Sequence, residues 1–160
     1  MKFYIASRLE NEVRVQELAD LLKAWGLEHT HNWTEHGNVR GRGEDMMRVV
    51  AVKETCGTLE ADLVIVLMPG EKGTHTELGM AIARGKNVII HSENPEDFDL
   101  DATKPCSFYW LPGVQRVCCS FDKLPLFLKD WIDFHRCLEN AGGVCSKTEG
   151  GLVNAAGPWR

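Results

Sequence analysis

No apolar run in the sequence approaches the ~20 residues needed to cross a bilayer, so no membrane partner is expected. The start of the chain is equally short of apolar length: Phe3-Tyr4-Ile5-Ala6 gives way at once to Ser7-Arg8. A secretory signal needs an apolar stretch of about 7–15 residues, so the expected location is the cytoplasm. Basic charge is also scarce. Lys and Arg total 18 against 23 Asp and Glu, a net charge of −5, with no basic stripe. That argues against a nucleic-acid polymer as partner, but a single nucleoside carries no backbone charge and stays open. None of the six cysteines stands in C-x-x-C spacing, which removes the usual zinc and redox motifs. Cys118 and Cys119 are adjacent, a poor geometry for a disulfide, so free thiols are expected. A Walker loop is missing, and so is a dinucleotide fingerprint, since Ser7-Arg8-Leu9 follows the first strand where glycines are needed. No metal and no cofactor are expected.

What is present reads as one globular domain. The chain has 160 residues, 44% apolar and 26% charged, which excludes disordered and fibrous classes. Lys2–Ala6 reads as a strand, and Val15, Leu18, Leu21, Leu22 and Trp25 recur at helical spacing until Gly26. Residues 27–33 read as a strand diluted by His29, His31 and Asn32, and 34–43 as a polar loop with three glycines. A helix is expected over 44–56, ended by Gly57. Residues 63–68 are six consecutive apolar residues, as suits a central parallel strand. A turn at 69–73, a helix over 74–84 and a buried strand at Asn87–Ser92 follow. After a polar loop over 93–104, residues 108–111 and 117–120 read as short extended pieces, and Leu124–Asn140 as an amphipathic helix. Residues 1–140 would form the domain, and the Gly-rich residues 141–160 a tail or arm.

Alternating strands and helices predict an α/β fold with a parallel sheet covered on both faces. In a five-stranded sheet of order 2-1-3-4-5, the ligand crevice lies beyond the carboxyl ends of the first and third strands. The segments leaving those strands are 4–8 and 69–77, and any ligand should sit between them.

The richest stretch is Leu63-Val64-Ile65-Val66-Leu67-Met68-Pro69-Gly70-Glu71-Lys72-Gly73-Thr74-His75-Thr76-Glu77-Leu78-Gly79. A buried strand, a glycine-containing turn and a helix start follow one another, with Glu71 and Glu77 bracketing the turn. One reading is purely structural: Thr74-His75-Thr76-Glu77 has the form of a capping box.

The second reading comes from resemblance. The chain resembles the nucleoside 2-deoxyribosyltransferase superfamily from Lys2 to about Leu128. The landmarks are Phe3-Tyr4-Ile5-Ala6-Ser7, Trp33, Glu60-Ala61-Asp62 and Gly73-Thr74-His75-Thr76-Glu77-Leu78-Gly79. The Gly-Thr-x-x-Glu-Leu-Gly form after an Ala-Asp strand is the specific part. The resemblance implies a flavodoxin-like, three-layer α/β/α fold, and a homodimer or higher homo-oligomer. It implies that Glu77 is the nucleophile, forming a glycosyl ester as in retaining glycosidases. A helix N-terminus at Glu77 would favour its ionised form. Glu71 falls where transferases carry an aspartate that handles the base, and is one methylene longer. Glu54 lies near another base-binding acid of the family, or else on a solvated helix face.

The remaining positions carry paired readings. Tyr4 matches a pocket tyrosine, or packs in the core. Ser7 and Arg8 enter the crevice and would contact sugar hydroxyls. Trp33 stacks on a base, or is a core tryptophan. Gly73 and Thr74 belong to the turn beside the substrate. Asp62 reads as structural. His29, His31 and His36 read as polar residues near the pocket, with a metal site as the lesser alternative. His75 bonds substrate or faces solvent.

The implied activity is transfer of a deoxyribosyl group from a nucleoside to another free base, in nucleotide salvage. The alternative within the fold is a hydrolase of nucleosides or nucleoside 5′-monophosphates. An alternative from another class is a non-catalytic nucleotide-binding or signalling module.

Overall fold

A computed structural model describes residues 1–102 and 106–140, with the side chains of residues 139 and 140 left aside. The expected tail over 141–160 lies outside the described residues. Two compact units are distinguished, Met1–Leu124 and Pro125–Arg160.

The first unit holds five strands, β1 (Lys2–Ala6), β2 (Glu28–His29), β3 (Leu63–Leu67), β4 (Asn87–Ser92) and β5 (Val114–Cys118). All pair in parallel, in the order β2-β1-β3-β4-β5. This is the expected flavodoxin-like sheet. Three helices connect it: α1 (Glu12–Ala24), α2 (Glu44–Glu60) and α3 (Lys72–Ala83). Right-handed crossovers place α1 on one face, and α2 and α3 together on the other, where they pack on each other. Every residue of β3 is buried, because helices cover both sides of a central strand.

Two register facts position the site. Tyr4 pairs with Val64 and Ala6 with Val66, so β1 and β3 end level at the point where strand order reverses. Close approach of α2 to β1 depends on Gly57. A Cβ there would stand 2.5 Å from the His31 Cβ and 3.2 Å from the Tyr4 ring. The sequence pattern makes Gly57 the end of the helix. It lies instead inside α2, which runs on to Glu60, because this is where the helix must come nearest the strand.

Other boundaries also differ from expectation. The strand expected over 27–33 shrinks to two residues. Thr30 sends its hydroxyl to the Gly57 carbonyl at 2.7 Å, and Asn32 caps a 3-10 turn at Trp33–Glu35. Such side-chain bonds compete with the ladder for the backbone. Of residues 108–111, expected extended, the first three belong to a 3-10 turn at Ser107–Trp110, and only Leu111 is extended. The last strand begins at Val114 instead of 117. It is an edge strand whose Gln115 and Arg116 are exposed, so it lacks the apolar run that marks its neighbours.

The second unit is described by its helix, α4 (Leu124–Asn140), with the bounds the sequence predicts. Leu128, Trp131 and Ile132 are buried, while Leu126, Phe134 and Leu138 are exposed. No helix among the described residues is long and apolar enough to cross a membrane. Among them Cys56, Cys106, Cys118, Cys119 and Cys137 are free thiols.

Candidate active site

A cavity of about 200 Å³ opens at the carboxyl ends of β1 and β3, where an open α/β sheet presents its crevice. Its lining includes Ser7, Arg8, Trp33, Glu54, Glu71, Gly73, Thr74 and Glu77. Sequence reading singles out all of these. Tyr4 completes the set from below, through a hydrogen bond to Glu77.

Glu77 is held inside. Only 6% of the residue is exposed, and the Tyr4 hydroxyl donates to its Oε1 at 2.5 Å. Tyr4 is itself fully buried on β1, its ring against Gly57. The Glu77 carboxyl is raised to about 8: burial contributes most, the Tyr4 hydrogen bond opposes it, and the neighbouring charge of Glu54 adds to the rise. Burial and the nearby Glu77 raise the Tyr4 hydroxyl well above the tyrosine range, so it stays a donor.

This differs from the expected setting of Glu77. The helix starts at Lys72, and its N-cap is Glu71. The Glu71 N–H donates to the Thr74 hydroxyl at 3.3 Å. Thr74 thus serves the cap, and Glu77 lies a turn deeper, on the inward face. The helix dipole acts mainly on the terminal turn, so desolvation governs Glu77 and favours its neutral form.

The other carboxylates sit in different environments. Glu71 is half exposed, and Arg40 Nη2 lies 3.5 Å from its Oε2. Glu54 projects from α2, and burial raises its pKa while nearby His36 lowers it. The His36 Nε2 stands 3.6 Å from Glu54 Oε1.

Ser7 and Trp33 have bonding partners of their own. Ser7 donates to the Leu67 carbonyl at 2.8 Å and accepts from Asn11 at 2.9 Å, tying the ends of β1 and β3 together. The Trp33 indole N–H donates to the Ile5 carbonyl at 2.8 Å, and the residue is buried. Arg8 differs. Its Nε is buried without a hydrogen bond among the described residues, 3.7 Å from Glu10.

His75 turns away from the cavity. Its Nδ1–H donates to the Glu71 carbonyl at 2.8 Å, and Nε2 lies 2.7 Å from the Tyr109 hydroxyl. His29 stacks on Phe3, and burial lowers its pKa to about 4. Among the described residues, no group of three His, Cys, Asp or Glu side chains is placed to hold a metal ion.

Sequence reading puts His36 near the pocket but singles out no other residue of the 34–43 loop. The loop contributes His36, Gly37, Asn38, Val39 and Arg40, and α2 adds Met47 and Val50. The available signal is a polar loop with three glycines ahead of a helix, a form that often carries binding groups. One of those glycines, Gly43, caps α2 at a φ of 89°.

No protein-family model and no curated protein sequence matches the chain. Among solved structures, the CMP N-glycosidase BcmB of Clostridium botulinum matches with a TM-score of 0.57 at 20% identity, covering 82% of this chain and 99% of that one. At that identity the likeness is one of fold, and the fold is the one that the resemblance to the nucleoside 2-deoxyribosyltransferase superfamily implies.

Proposed function

We propose that the protein is an enzyme that breaks the N-glycosidic bond of a nucleoside through a covalent glycosyl-Glu77 intermediate and passes the deoxyribosyl group to another free base. The observation that carries this reading is the buried Tyr4–Glu77 pair, with its 2.5 Å hydrogen bond, beside a cavity at the switch point of the sheet. Cleavage develops positive charge at the anomeric carbon, and a carboxylate desolvated in a small cavity is well suited to trap it. Glu77 would form the ester bond to that carbon as the bond to the base breaks. An incoming base, or water, would then displace Glu77 with retention. Glu71 and Glu54 would contact the base, and Ser7, Arg8, Gly73 and Thr74 the sugar end. Trp33 would wall the cavity.

A second reading replaces transfer by hydrolysis of a nucleoside 5′-monophosphate. It is favoured by Arg8, whose buried Nε lacks a hydrogen bond among the described residues, and by the fold shared with a CMP N-glycosidase. An anionic Glu71 at the same cavity opposes it. The expected assembly is a homodimer or higher homo-oligomer, and the exposed Met46, Val49 and Val52 of α2 offer an apolar face for it.

The test is chromatography of a panel of nucleosides and nucleoside 5′-monophosphates incubated with and without excess adenine or cytosine. Transfer gives a new nucleoside only when the acceptor base is present. Hydrolysis gives free base in either case. Binding without turnover across the whole panel would overturn both and support a non-catalytic module.

A further inference from the structure

His75 stands in the first turn of α3 with its ring turned from the cavity, and both ring nitrogens are held. Its Nδ1–H donates to the Glu71 carbonyl at 2.8 Å, and the His75 backbone N–H donates to the same oxygen at 3.1 Å. On the other side of the ring, Nε2 lies 2.7 Å from the Tyr109 hydroxyl. The ring also rests on the turn ahead of the helix, since a Cβ at Gly70 would stand 3.2 Å from the His75 Cε1. Glu71 is therefore fastened at both ends of its main chain, by Thr74 at the N–H and by His75 at the carbonyl. Glu71 lines the cavity, so this backbone setting fixes the point from which its carboxylate reaches.

Tyr109 is a firm anchor for such a brace. The residue is buried, and its carbonyl accepts from Arg116 Nη1 of β5 at 2.6 Å. Its ring meets Phe98 edge-on and stacks on Trp110. Burial pushes its hydroxyl up to about 12, so the hydroxyl keeps its proton. The same hydroxyl lies 3.6 Å from Met68 Sδ. It can donate to a bare Nε2, or accept from a protonated one while donating to the sulphur, so the brace holds in either state of the ring. The contact spans 34 positions of sequence and ties the segment before β5 to the turn after β3.

On the N-glycosidic reading given above, in which Glu71 contacts the base, we propose that Tyr109 and His75 are positioning residues that act through Glu71 and set the reach of its carboxylate to the base end of the substrate. Neither touches the substrate itself. A glutamate side chain has one more rotatable bond than an aspartate, so its carboxylate is well placed only when the backbone beneath it is fixed. A misplacement of about 1 Å in a positioning contact costs up to about 10²-fold in rate. Loss of the brace is thus felt by a substrate with a base for Glu71 to hold, and not by one without.

The test pairs a nucleoside with a substrate that lacks a base. Wild type, Tyr109→Phe, His75→Ala, Glu71→Ala and the double variant Tyr109→Phe with Glu71→Ala are compared on 4-nitrophenyl 2-deoxyriboside and on a nucleoside. The nucleoside is 2′-deoxyadenosine or 2′-deoxycytidine, whichever wild type turns over faster. Tyr109→Phe removes the hydroxyl and keeps the ring against Phe98 and Trp110. Its expected kcat on the nucleoside is about 10–100-fold lower, with KM within about threefold of wild type. On the nitrophenyl substrate it should stay within about threefold of wild type, which also shows that the variant is folded. His75→Ala is expected to follow it. In the Glu71→Ala background, removing the Tyr109 hydroxyl should cost less than about twofold more, because residues that act through one group are not additive. This cycle on the nucleoside decides by itself if the nitrophenyl compound is not turned over. Equal losses on both substrates, no loss on the nucleoside, or a double variant whose loss is the product of the two single losses would overturn the brace. Should wild type turn over neither nucleoside, the N-glycosidic reading fails, and the role of the brace with it.

Discussion

The Tyr4 hydroxyl and the Glu77 carboxylate meet at 2.5 Å across 73 positions of sequence, one from the first strand and one from the helix after the third. The contact joins the two elements that flank the switch point. It also opposes the burial that pushes Glu77 towards its neutral form. Removing the hydroxyl should therefore raise the Glu77 pKa beyond about 8 and leave less of the carboxylate ionised at neutral pH. A hydrogen bond to a charged group contributes about 1.5–3 kcal/mol. Tyr4→Phe is expected to lower kcat/KM at pH 7 by about 10–100-fold. The acid limb of its pH–rate profile should move to higher pH. An unshifted limb would show that Tyr4 does not tune Glu77.

The same burial has a consequence for stability. With a folded pKa of about 8 against an ordinary value of 4.5, Glu77 is protonated in both states below pH 4.5. Between those values the unfolded chain releases a proton that the folded chain keeps, so stability falls as pH rises. Above about 8 the penalty is complete. Glu77→Gln should match wild type in stability near pH 4.5. Its advantage should then grow steadily towards pH 8, by about 1.4 kcal/mol for each pH step of one. Urea unfolding at pH 4.5, 6.5 and 8.5 measures this, and a gap that does not widen with pH would contradict it.

Gly57 offers a test of the packing that sets Tyr4 in place. The added methyl of Gly57→Ala would meet the His31 Cβ at 2.5 Å and the Tyr4 ring at 3.2 Å. Overpacking of this kind costs about 1–3 kcal/mol, partly offset by about 1 kcal/mol of helix propensity. Thermal unfolding should show a lowered Tm, with activity falling as Tyr4 is displaced. A higher Tm would mean that α2 can shift freely on the sheet.

His75 separates a structural from a binding role within the turn that follows β3. Its two ring nitrogens are engaged with Glu71 and Tyr109. His75→Ala is expected to cost about 1 kcal/mol of stability, the scale of a net hydrogen bond, with KM within about threefold of wild type. A large rise in KM with unchanged stability would place His75 on the substrate instead.

The sheet is legible in the sequence where burial is two-sided. The apolar runs at β3 and β4 mark buried strands, and their alternation with helices marks the sheet as parallel, while the flavodoxin-like order is what the resemblance implies. The strand ends at 27–33 and 108–120 escape local pattern, because side-chain bonds from Thr30 and Asn32, and the edge position of β5, override it. In the site, Glu77, Glu71, Ser7 and Arg8 are visible because they flank two strand ends. His36 is legible as a polar residue near the pocket, but Arg40, Asn38 and Val39 are not, because only the folded loop brings them to the cavity. The setting of Glu77 is hidden for a similar reason. Capping patterns are local, whereas its raised pKa comes from long-range burial.

The central claim is that Glu77 bonds covalently to the sugar. A nucleoside bearing fluorine at C2′ destabilises the cationic transition state and slows release of the ester. Mass spectrometry of the quenched, proteolysed enzyme should then find the fluorinated pentosyl mass on the peptide containing Glu77, and none in Glu77→Gln. Turnover with no adduct, or an adduct on Glu54 or Glu71 in its place, would contradict the account.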